Sequence, residues 1–488
     1  MSQQLPDRIQ EKIKNAIGKA ASKPLLTHCR REIFQAAWLI LIQDPEFLDA
    51  YVNGMIVDCI DGVRWRVFPR FFTYSADYPE KYTPLTNHCI ARLLRNFRVL
   101  VATIKDFGSH PCPRCLVAIN EIHAVGRDDD RKRREESRRY DDAERRKKVD
   151  EAREWIYDKG YVVNGDKVED LLKDQSMVPT KVFVSAFARS QVSTPFVQNA
   201  FSLLLSPFGF DFHKMLTVDL LHEVELGVWK ALLTHLIRML HSCGADKVHE
   251  FDKRYASCMH LFKQPHLPPT SFRMVAAFSD KIRRFEGNVS DMKRLAGHDF
   301  EDILQVRSCA SVMDTKSMTT TQCIIPCIEG LFDEPHNGTV IELLYIFATW
   351  HALAKLHIHT DTSLGLLDTA TTALGNALRH FTRVTCPEFN TVETAAEYAK
   401  RQRQQAAATT STSHATSSTL HAAPSATGRQ PRTFSLGTIK LHFLGDYVSC
   451  IKIFGTIDNY NSALVGNHIT YPSRSQLIII RGKTVTTG

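Results

Sequence analysis

The chain has 488 residues, of which 43% are hydrophobic, so it is long enough for two or three domains with buried cores. Its 61 basic and 53 acidic residues give a mixed surface with a net charge of +8, which permits contact with nucleic acid but is not a basic arm. No uncharged apolar stretch of about 18 residues and no signal-peptide pattern is present, which argues against a membrane protein and favours a soluble intracellular one.

The first part of the chain is predicted to be helical and then to form a hairpin. Residues 1–50 are an N-terminal helical segment, because apolar residues recur there at helical spacing. The stretch MIVDCIDGVRWRVFPRFFTYSAD follows, and its β-branched and aromatic residues surround a turn at Asp61 and Gly62. Asp77 comes at the end of the second predicted strand. We assign residues 51–126 to the α/β part of the fold.

A CxxC motif is present in the stretch SHPCPRCLV, residues 109–117. The thiolates of Cys112 and Cys115 can bind one tetrahedral zinc ion if two further ligands come from elsewhere in the chain. The 12 cysteines are otherwise scattered, unlike a secreted disulfide framework. A redox pair would be expected in a thioredoxin-like context, which the preceding KDFGSH does not provide. Zinc is therefore favoured, with an inert loop and a redox pair as the alternatives.

Residues 127–290 are predicted to be mostly helical. This region begins with a charged run, Arg127 to Arg153, whose alternating signs are typical of a solvated helix with i, i+4 ion pairs. A nucleic-acid-binding or nuclear-import patch is the alternative. Further on, Lys214 to Leu240 is apolar on most of its circumference, which predicts a buried helix pair or one long core helix.

Two polar features of this helical region and of the helices that follow it are candidates for chemistry. Asp219 and His222 share a helix face, where a satisfied polar pair is favoured over a metal or catalytic site. Glu301, in the helical stretch DMKRLAGHDFEDILQ, is an acid in apolar surroundings, as is Asp77. Phosphoryl transfer by two metal ions needs such carboxylates to converge. No glycine-rich phosphate loop and no GxSxG motif is present, so nucleotide-binding and serine-hydrolase signatures contribute nothing.

The remaining chain is divided by composition. Residues 291–395 are predicted to be further core helices, including one near residues 339–360. Residues 396–432 are rich in Gln, Ala, Ser and Thr, cannot build a core, and are predicted to be a disordered linker. Residues 433–488 form a C-terminal segment.

Several stretches, taken together, point to a known family. They are FPRFFTYSADYPEK, CPRCLV, LTVDLLHEVELGVWKALLTHLIRML, HDFEDILQ, EPHNGTVIELLYIFATWHALAKLHIHT and LGDYV. They resemble the Plavaka-type DNA transposases of fungi, in the Kyakuja-Dileera-Zisupton group related to CACTA elements. The resemblance covers most of residues 5–463 apart from the linker. It implies a mostly helical α/β protein: a partial ribonuclease H-like core of DDE type with a large helical insertion.

The resemblance also implies an activity. Asp77 matches the second catalytic aspartate and Glu301 the final glutamate, with Asp299 or Asp302 as alternatives for that last acid. The implied reaction is cut-and-paste DNA transposition, in which two Mg²⁺ or Mn²⁺ ions activate water and then a DNA 3′-hydroxyl. The implied partner is DNA at the transposon ends, with nuclear localisation and a homo-oligomer as further expectations.

The same resemblance implies a structural zinc site. Cys112 and Cys115 match the CxxC that follows the second aspartate of the family, and Asp219 with His222 match its DxxH motif. His222 is therefore the predicted third ligand. Four other histidines remain candidates, namely His336, His351, His357 and His359.

Three departures from the family predict a truncated and catalytically incomplete copy, and the alternative is a non-catalytic DNA-binding or oligomerising remnant. The first catalytic aspartate lies upstream of the part represented here, and Asp58 and Asp61 are on the wrong element to replace it. Residues 82–98 and 306–322 interrupt the family pattern, and we interpret both as unspliced introns. The pattern stops after residue 463.

Overall fold

The protein is described by a computed structural model and is mostly helical, with two small antiparallel sheets among the described residues. No helix within these residues combines the length and the apolar character that crossing a membrane requires. The described residues are 5, 8–59, 62–74, 104–105, 108–180, 199–261, 288–291, 297–304, 306–307, 321–322, 324–412, 428–460 and 475–483.

The N-terminal segment is helical, as predicted. Its helices are α1 (Ile9–Ile17), α2 (Lys23–Ile42) and α3 (Pro45–Asn53). Helix α3 begins where the Asp44 side chain accepts hydrogen bonds from two backbone N–H groups, a typical N-cap. One face of α2 is buried through Phe34 and Trp38, which pack with Phe201 from a later helix. The segment is thus joined to the rest of the core by aromatic packing.

The predicted hairpin is present. Strands β1 (Met55–Asp58) and β2 (Arg64–Tyr74) pair antiparallel, and β5 (Ser475–Lys483) adds a third strand beside β2. The second sheet pairs β3 (Val306–Arg307) with β4 (Thr321–Gln322). Asp77 and residues 82–98 lie outside the described residues, and the ribonuclease H-like core stays a prediction.

The charged run from residue 127 to 153 differs from its prediction. It forms two helices rather than one, and they are α4 (Asp128–Glu136) and α5 (Ala143–Tyr157), followed by α6 (Asp166–Leu172). Ion pairs such as Arg133 with Asp129 do line the outer face. However, Arg134, Arg139 and Arg145 are buried. The prediction of a wholly solvated helix is wrong because these arginines find buried acids, rings and carbonyls contributed by distant parts of the chain.

The main core is helical and is built around the segment predicted to be a buried helix pair or one long core helix. Residues Leu220–Trp229 form a π-helix that continues directly into helix α8 (Lys230–Cys243), and both are largely buried. The Trp229 indole donates to the Phe300 carbonyl, which fixes helix α10 (Gly297–Leu304) against the π-helix. The remaining helices are α7 (Ala200–Leu205), α8 (Lys230–Cys243), α9 (Ala245–Leu261), α10 (Gly297–Leu304), α11 (Ile325–Ile328), α12 (His336–Ala354), α13 (Asp361–His380), α14 (Ala395–Thr412), α15 (Ile439–Phe443) and α16 (Tyr447–Phe454).

The predicted linker is partly ordered. Its first part is helix α14, and the prediction of disorder fails there because Gln, Ala and Arg are strong helix formers. Thr394 and Glu397 cap the start of the helix reciprocally, and Glu397 also contacts Arg238 of α8. After the undescribed residues 413–427, Arg432 pairs with buried Glu393 at 2.8 Å. Ion pairs and hydrogen bonds of Glu393 and Glu397 therefore hold both ends of this segment near each other on the core.

Candidate metal centre

The CxxC loop and a distant histidine meet in the interior. The ligand atoms of Cys112, Cys115 and His442 all lie within 4.8 Å of one another, and all three residues are buried. The Cys115 Sγ and His442 Nε2 atoms are 3.2 Å apart. On one tetrahedral zinc ion these atoms would stand roughly 3.6 Å apart, given Zn–S bonds of about 2.3 Å and Zn–N bonds of about 2.0–2.1 Å. The three side chains therefore fit a zinc ion after a small shift.

The local geometry of the loop suits metal binding. The backbone N–H of Arg114 donates to Cys112 Sγ at 3.4 Å, and such a donor favours the thiolate. The loop is also paired with the chain between α4 and α5. The N–H of Leu116 donates to the Ser137 carbonyl at 2.8 Å, and the N–H of Arg139 donates to the Arg114 carbonyl at 2.9 Å. Short antiparallel pairing thus supports the loop from the side of the charged helices.

His442 reaches the thiols because α15 packs directly on the loop. Ile439 and Phe443 of this helix belong to one small apolar cluster with Val117 and Ile122. Burying side chains of this size stabilises a fold by about 1.5–3 kcal/mol each. Cys115 and His442 are 327 positions apart in sequence. A metal ion held by both would therefore close a very long loop and act as a cross-link between the core and the C-terminal helices.

Two arginines and two acids surround the metal-binding group. Asp446 accepts from Arg114 at 2.6 Å and from Arg134 at 2.9 Å, and Arg134 also bonds Asp130 at 2.9 Å. Burial raises the pKa of the Asp446 carboxyl, but the charges of Arg114 and Arg134 outweigh burial and hold this pKa far below its usual range. The acid is thus ionised and fully engaged with arginine rather than with the metal-binding group.

The orientation of His442 is set by Arg134. The Arg134 NH2 group donates to the His442 carbonyl at 2.7 Å and lies 2.8 Å from Nδ1 of the ring. Nε2 is the nitrogen that faces Cys115. Arg134 NH1 also lies 3.2 Å from Nε2, and a guanidinium can only donate, so the contacts with Arg134 do not select one ring nitrogen as the ligand. Nε2 is the candidate ligand atom because it is the nitrogen beside Cys115 Sγ.

The two thiols have opposite tendencies to ionise. Burial raises the pKa of the Cys112 thiol, but its hydrogen bond with Cys115, the neighbouring His442 and the charge of Arg114 lower it more, so the pKa lies well below its ordinary value. The hydrogen bond with Cys112, together with burial, raises the pKa of Cys115. Cys112 is therefore the thiolate of the pair, and the thiol proton of Cys115 is hydrogen-bonded to it. A metal ion would displace that proton and bind both sulfurs as thiolates.

The histidine that lies beside the two thiols differs from the predicted one. His442 was not singled out by the sequence analysis, whereas His222 was, and His222 lies outside the group of close ligand atoms. Its Nδ1 instead lies 2.6 Å from Oδ2 of buried Asp219, which agrees with the expectation of a polar pair beside the core. No spacing rule points to His442 among 21 histidines. The other predicted histidines lie beside Phe389 (His336), Glu225 (His351), Asp458 (His357) and Ser363 (His359).

Among the predicted catalytic acids, Glu301 does not belong to the group of Cys112, Cys115 and His442. Asp77 lies outside the described residues. The Glu301 carboxylate contacts the ammonium group of Lys355 at the end of α12. Asp299 is partly exposed on the same helix as Glu301, whereas the side chain of Asp302 lies outside the described part of the structure. Asp58, which the sequence analysis had set aside, pairs with Arg64 at 2.8 Å.

A second polar group, the Glu225 cluster, joins the DxxH pair to the predicted final glutamate. Burial and then the charge of Glu301 raise the pKa of Glu225 to about 8. Burial and then the charge of Lys355 lower the pKa of His351 to about 3. Glu225 and His351, whose side chains are 3.2 Å apart, are therefore both neutral near pH 7. The members of the cluster are Asp219, His222, Glu225, Glu301, His351 and Lys355.

The Glu225 cluster predicts an unusual pH dependence of stability. Glu225 keeps its proton up to about pH 8 in the folded state, whereas the unfolded chain loses it near pH 4.5. The folded state therefore binds more protons in this window, and its stability falls as the pH rises through it. Glu225→Gln should remove this loss, so that the variant gains on the order of 4 kcal/mol over the unaltered chain between pH 5 and pH 8.

Urea unfolding at several pH values would measure this effect. His351 acts in the opposite direction, since its lowered pKa makes stability fall as the pH drops below about 6.5, and that slope should be the same in both proteins. Glu342→Gln, at an exposed position on the helix of His351, is the matched control and should show no gain. A pH-independent difference between Glu225→Gln and the unaltered chain would contradict the assignment.

The comparisons add no relative from which a role could be transferred. Searches against protein families, curated proteins and solved structures found no match to the chain. Among the described residues, the Cys112, Cys115 and His442 group is the one set of three acid, cysteine or histidine side chains whose ligand atoms lie within metal-binding range of one another. The geometry of the Cys112, Cys115 and His442 group and the sequence motifs are therefore the basis for a functional assignment.

Proposed function

We propose that the chain is a transposon-derived fragment of a DDE-type transposase, in which a structural zinc ion fastens the C-terminal helices to the core. The observation that carries the zinc part is the buried group of Cys112, Cys115 and His442. None of the three is more than 3% exposed. Among the described residues the group supplies three of the four ligands that a structural zinc ion usually has, and its burial suits such an ion, since a catalytic zinc keeps an open position that a substrate must reach.

The composition of the group favours zinc over the alternatives left open by the sequence. Two thiolates and one imidazole are soft ligands that select zinc among the common divalent ions. A redox pair would need access for a partner thiol, and Cys112 is 0% exposed. An inert loop would not require a buried histidine 3.2 Å from a buried sulfur. A structural zinc ion accounts for all three facts.

The transposase part of the proposal is supported by the sequence motifs. The expected chemistry is Mg²⁺- or Mn²⁺-dependent cleavage of DNA, for which Asp77 and Glu301 are the predicted ligands. The contact of Glu301 with Lys355 supports an inactive state, because the Lys355 ammonium group is bound to the carboxylate that would otherwise bind the divalent metal ion. We therefore propose that the chain binds DNA without cleaving it.

A paired cleavage and binding experiment tests this function. The full chain, incubated with DNA and Mn²⁺, should nick no more DNA than Asp77→Ala does. DNA binding should persist in both proteins and weaken steeply with salt, as contacts to phosphates require. Cleavage that is lost in Asp77→Ala would show an active enzyme instead. Absence of salt-sensitive binding would remove DNA as the partner.

A further inference from the structure

One buried arginine organises the loop that carries both thiols. Arg139 is 3% exposed. Its Nε donates to the carbonyl of Cys112 at 2.8 Å and to that of Cys115 at 3.2 Å. Its NH2 group donates to the His110 carbonyl and its NH1 group to the Gln175 carbonyl, each at 2.8 Å. A single guanidinium thus bonds four backbone oxygens, three of which belong to the CxxC segment.

The shape of the guanidinium makes this contact a template for the loop. Its donors are coplanar and point in fixed directions, so carbonyls that satisfy them are held at fixed positions. The carbonyls of Cys112 and Cys115 lie at the two ends of the turn. Fixing both carbonyls constrains the backbone from which the two sulfurs project, and therefore their separation.

Arg139 is in turn held by the loop that it organises. Its N–H donates to the Arg114 carbonyl at 2.9 Å, and Arg138 forms an antiparallel bridge with Cys115. A third contact comes from His213, whose Nδ1 lies 2.9 Å from the carbonyl of Pro113 at the tip of the turn. None of these contacts involves the ligand atoms of the metal centre. The loop conformation is therefore supported independently of any ion.

We propose that Arg139 is the positioning residue of the metal centre, which holds the CxxC loop in its ligating conformation before the ion arrives. The inference rests on the proposed zinc site. Arg139 lies in the chain between α4 and α5. This part of the charged run therefore has a role that was not expected when the run was predicted to be a solvated helix or a nucleic-acid-binding patch. The ion then binds a preorganised site and does not have to order the loop itself.

Titration of the metal-free full chain with Co²⁺ tests the inference, since the visible absorption of bound Co²⁺ reports both affinity and ligand geometry. Lysine at position 139 keeps the charge but cannot reach four carbonyls. Arg139→Lys should therefore weaken Co²⁺ binding about 10- to 100-fold, as the loss of outer-shell support typically does. Arg401→Lys is the matched control, because the Arg401 side chain is only 12% exposed but bonds Glu393 instead, and the Co²⁺ affinity of this variant should equal that of the unaltered chain.

Hydrogen exchange supplies a measurement that does not depend on a variant. The N–H groups of Leu116 and Arg139 pair the loop with its support, and they should stay protected after the metal is removed. Rapid exchange of both in the metal-free chain, or a Co²⁺ affinity of Arg139→Lys equal to that of the unaltered chain, would overturn the inference. Absence of Co²⁺ binding by the unaltered chain would instead overturn the zinc site, and this inference with it.

Discussion

Replacing Cys112 with serine is expected to abolish zinc binding. The unaltered chain should contain one zinc ion, bound by Cys112, Cys115 and His442, and the variant should contain none, because a serine hydroxyl is a poor substitute for a buried thiolate. The folded state should also become less stable, by about 4 kcal/mol if free zinc is present at 1,000 times its dissociation constant. Elemental analysis and thermal unfolding measure the two effects.

The control for this experiment is Cys243→Ser. Cys243 is an exposed free cysteine, so the variant removes a thiol without affecting the buried group. It should keep one zinc per chain and the melting temperature of the unaltered protein. Full zinc content in Cys112→Ser would show that the ion, if present, is bound elsewhere.

Asp446→Asn is expected to destabilise the folded state by about 3–5 kcal/mol, the usual cost of removing one partner of a buried ion pair. Asp446 accepts hydrogen bonds from both Arg114 and Arg134. Its loss leaves two guanidinium groups beside the metal centre without their shared acid. Urea unfolding at pH 7 would measure the difference.

The same variant should differ from the unaltered chain in its acid response. The pKa of Asp446 is depressed in the folded state relative to the ordinary 3.8, so the stability that it contributes is present above pH 3.8 and is lost as the pH falls below it. The gap between the two proteins should therefore narrow only in strong acid. Asp368→Asn is the control, because Asp368 pairs with Arg131 of α4 at a half-exposed position and should contribute less than 1 kcal/mol. An equally small effect of Asp446→Asn would contradict the buried network.

Local patterns in the sequence were sufficient to predict several elements of the structure. The hairpin of β1 and β2 follows from β-branched residues around a glycine turn, and the long axis through the π-helix and α8 follows from apolar residues on most of its circumference. The two thiols of the metal centre were likewise identified from the CxxC spacing alone. These features depend on neighbours within a few residues, which is the range over which periodicity and turn chemistry act.

Charge patterning was a weaker guide, because it records the sign of each residue but not its tertiary partners. The run around α4 and α5 was predicted to be solvated, yet Arg134 and Arg139 are buried at the metal centre. Each is tolerated inside only because distant groups complete its hydrogen bonds, namely Asp446 and His442 for Arg134 and the CxxC carbonyls for Arg139. No alternation of signs within a helix can reveal partners of this kind.

The sequence by itself determined the helical character of the protein, the hairpin and the pair of thiols that could bind a metal ion. Only the tertiary structure decided that His442 lies beside these thiols and that His222 pairs with Asp219. The physical reason is chain separation: Cys115 and His442 are 327 positions apart, and they meet because the apolar faces of α15 and of the CxxC loop are buried together. Contacts of that range follow from how the whole chain packs, and no local motif contains them.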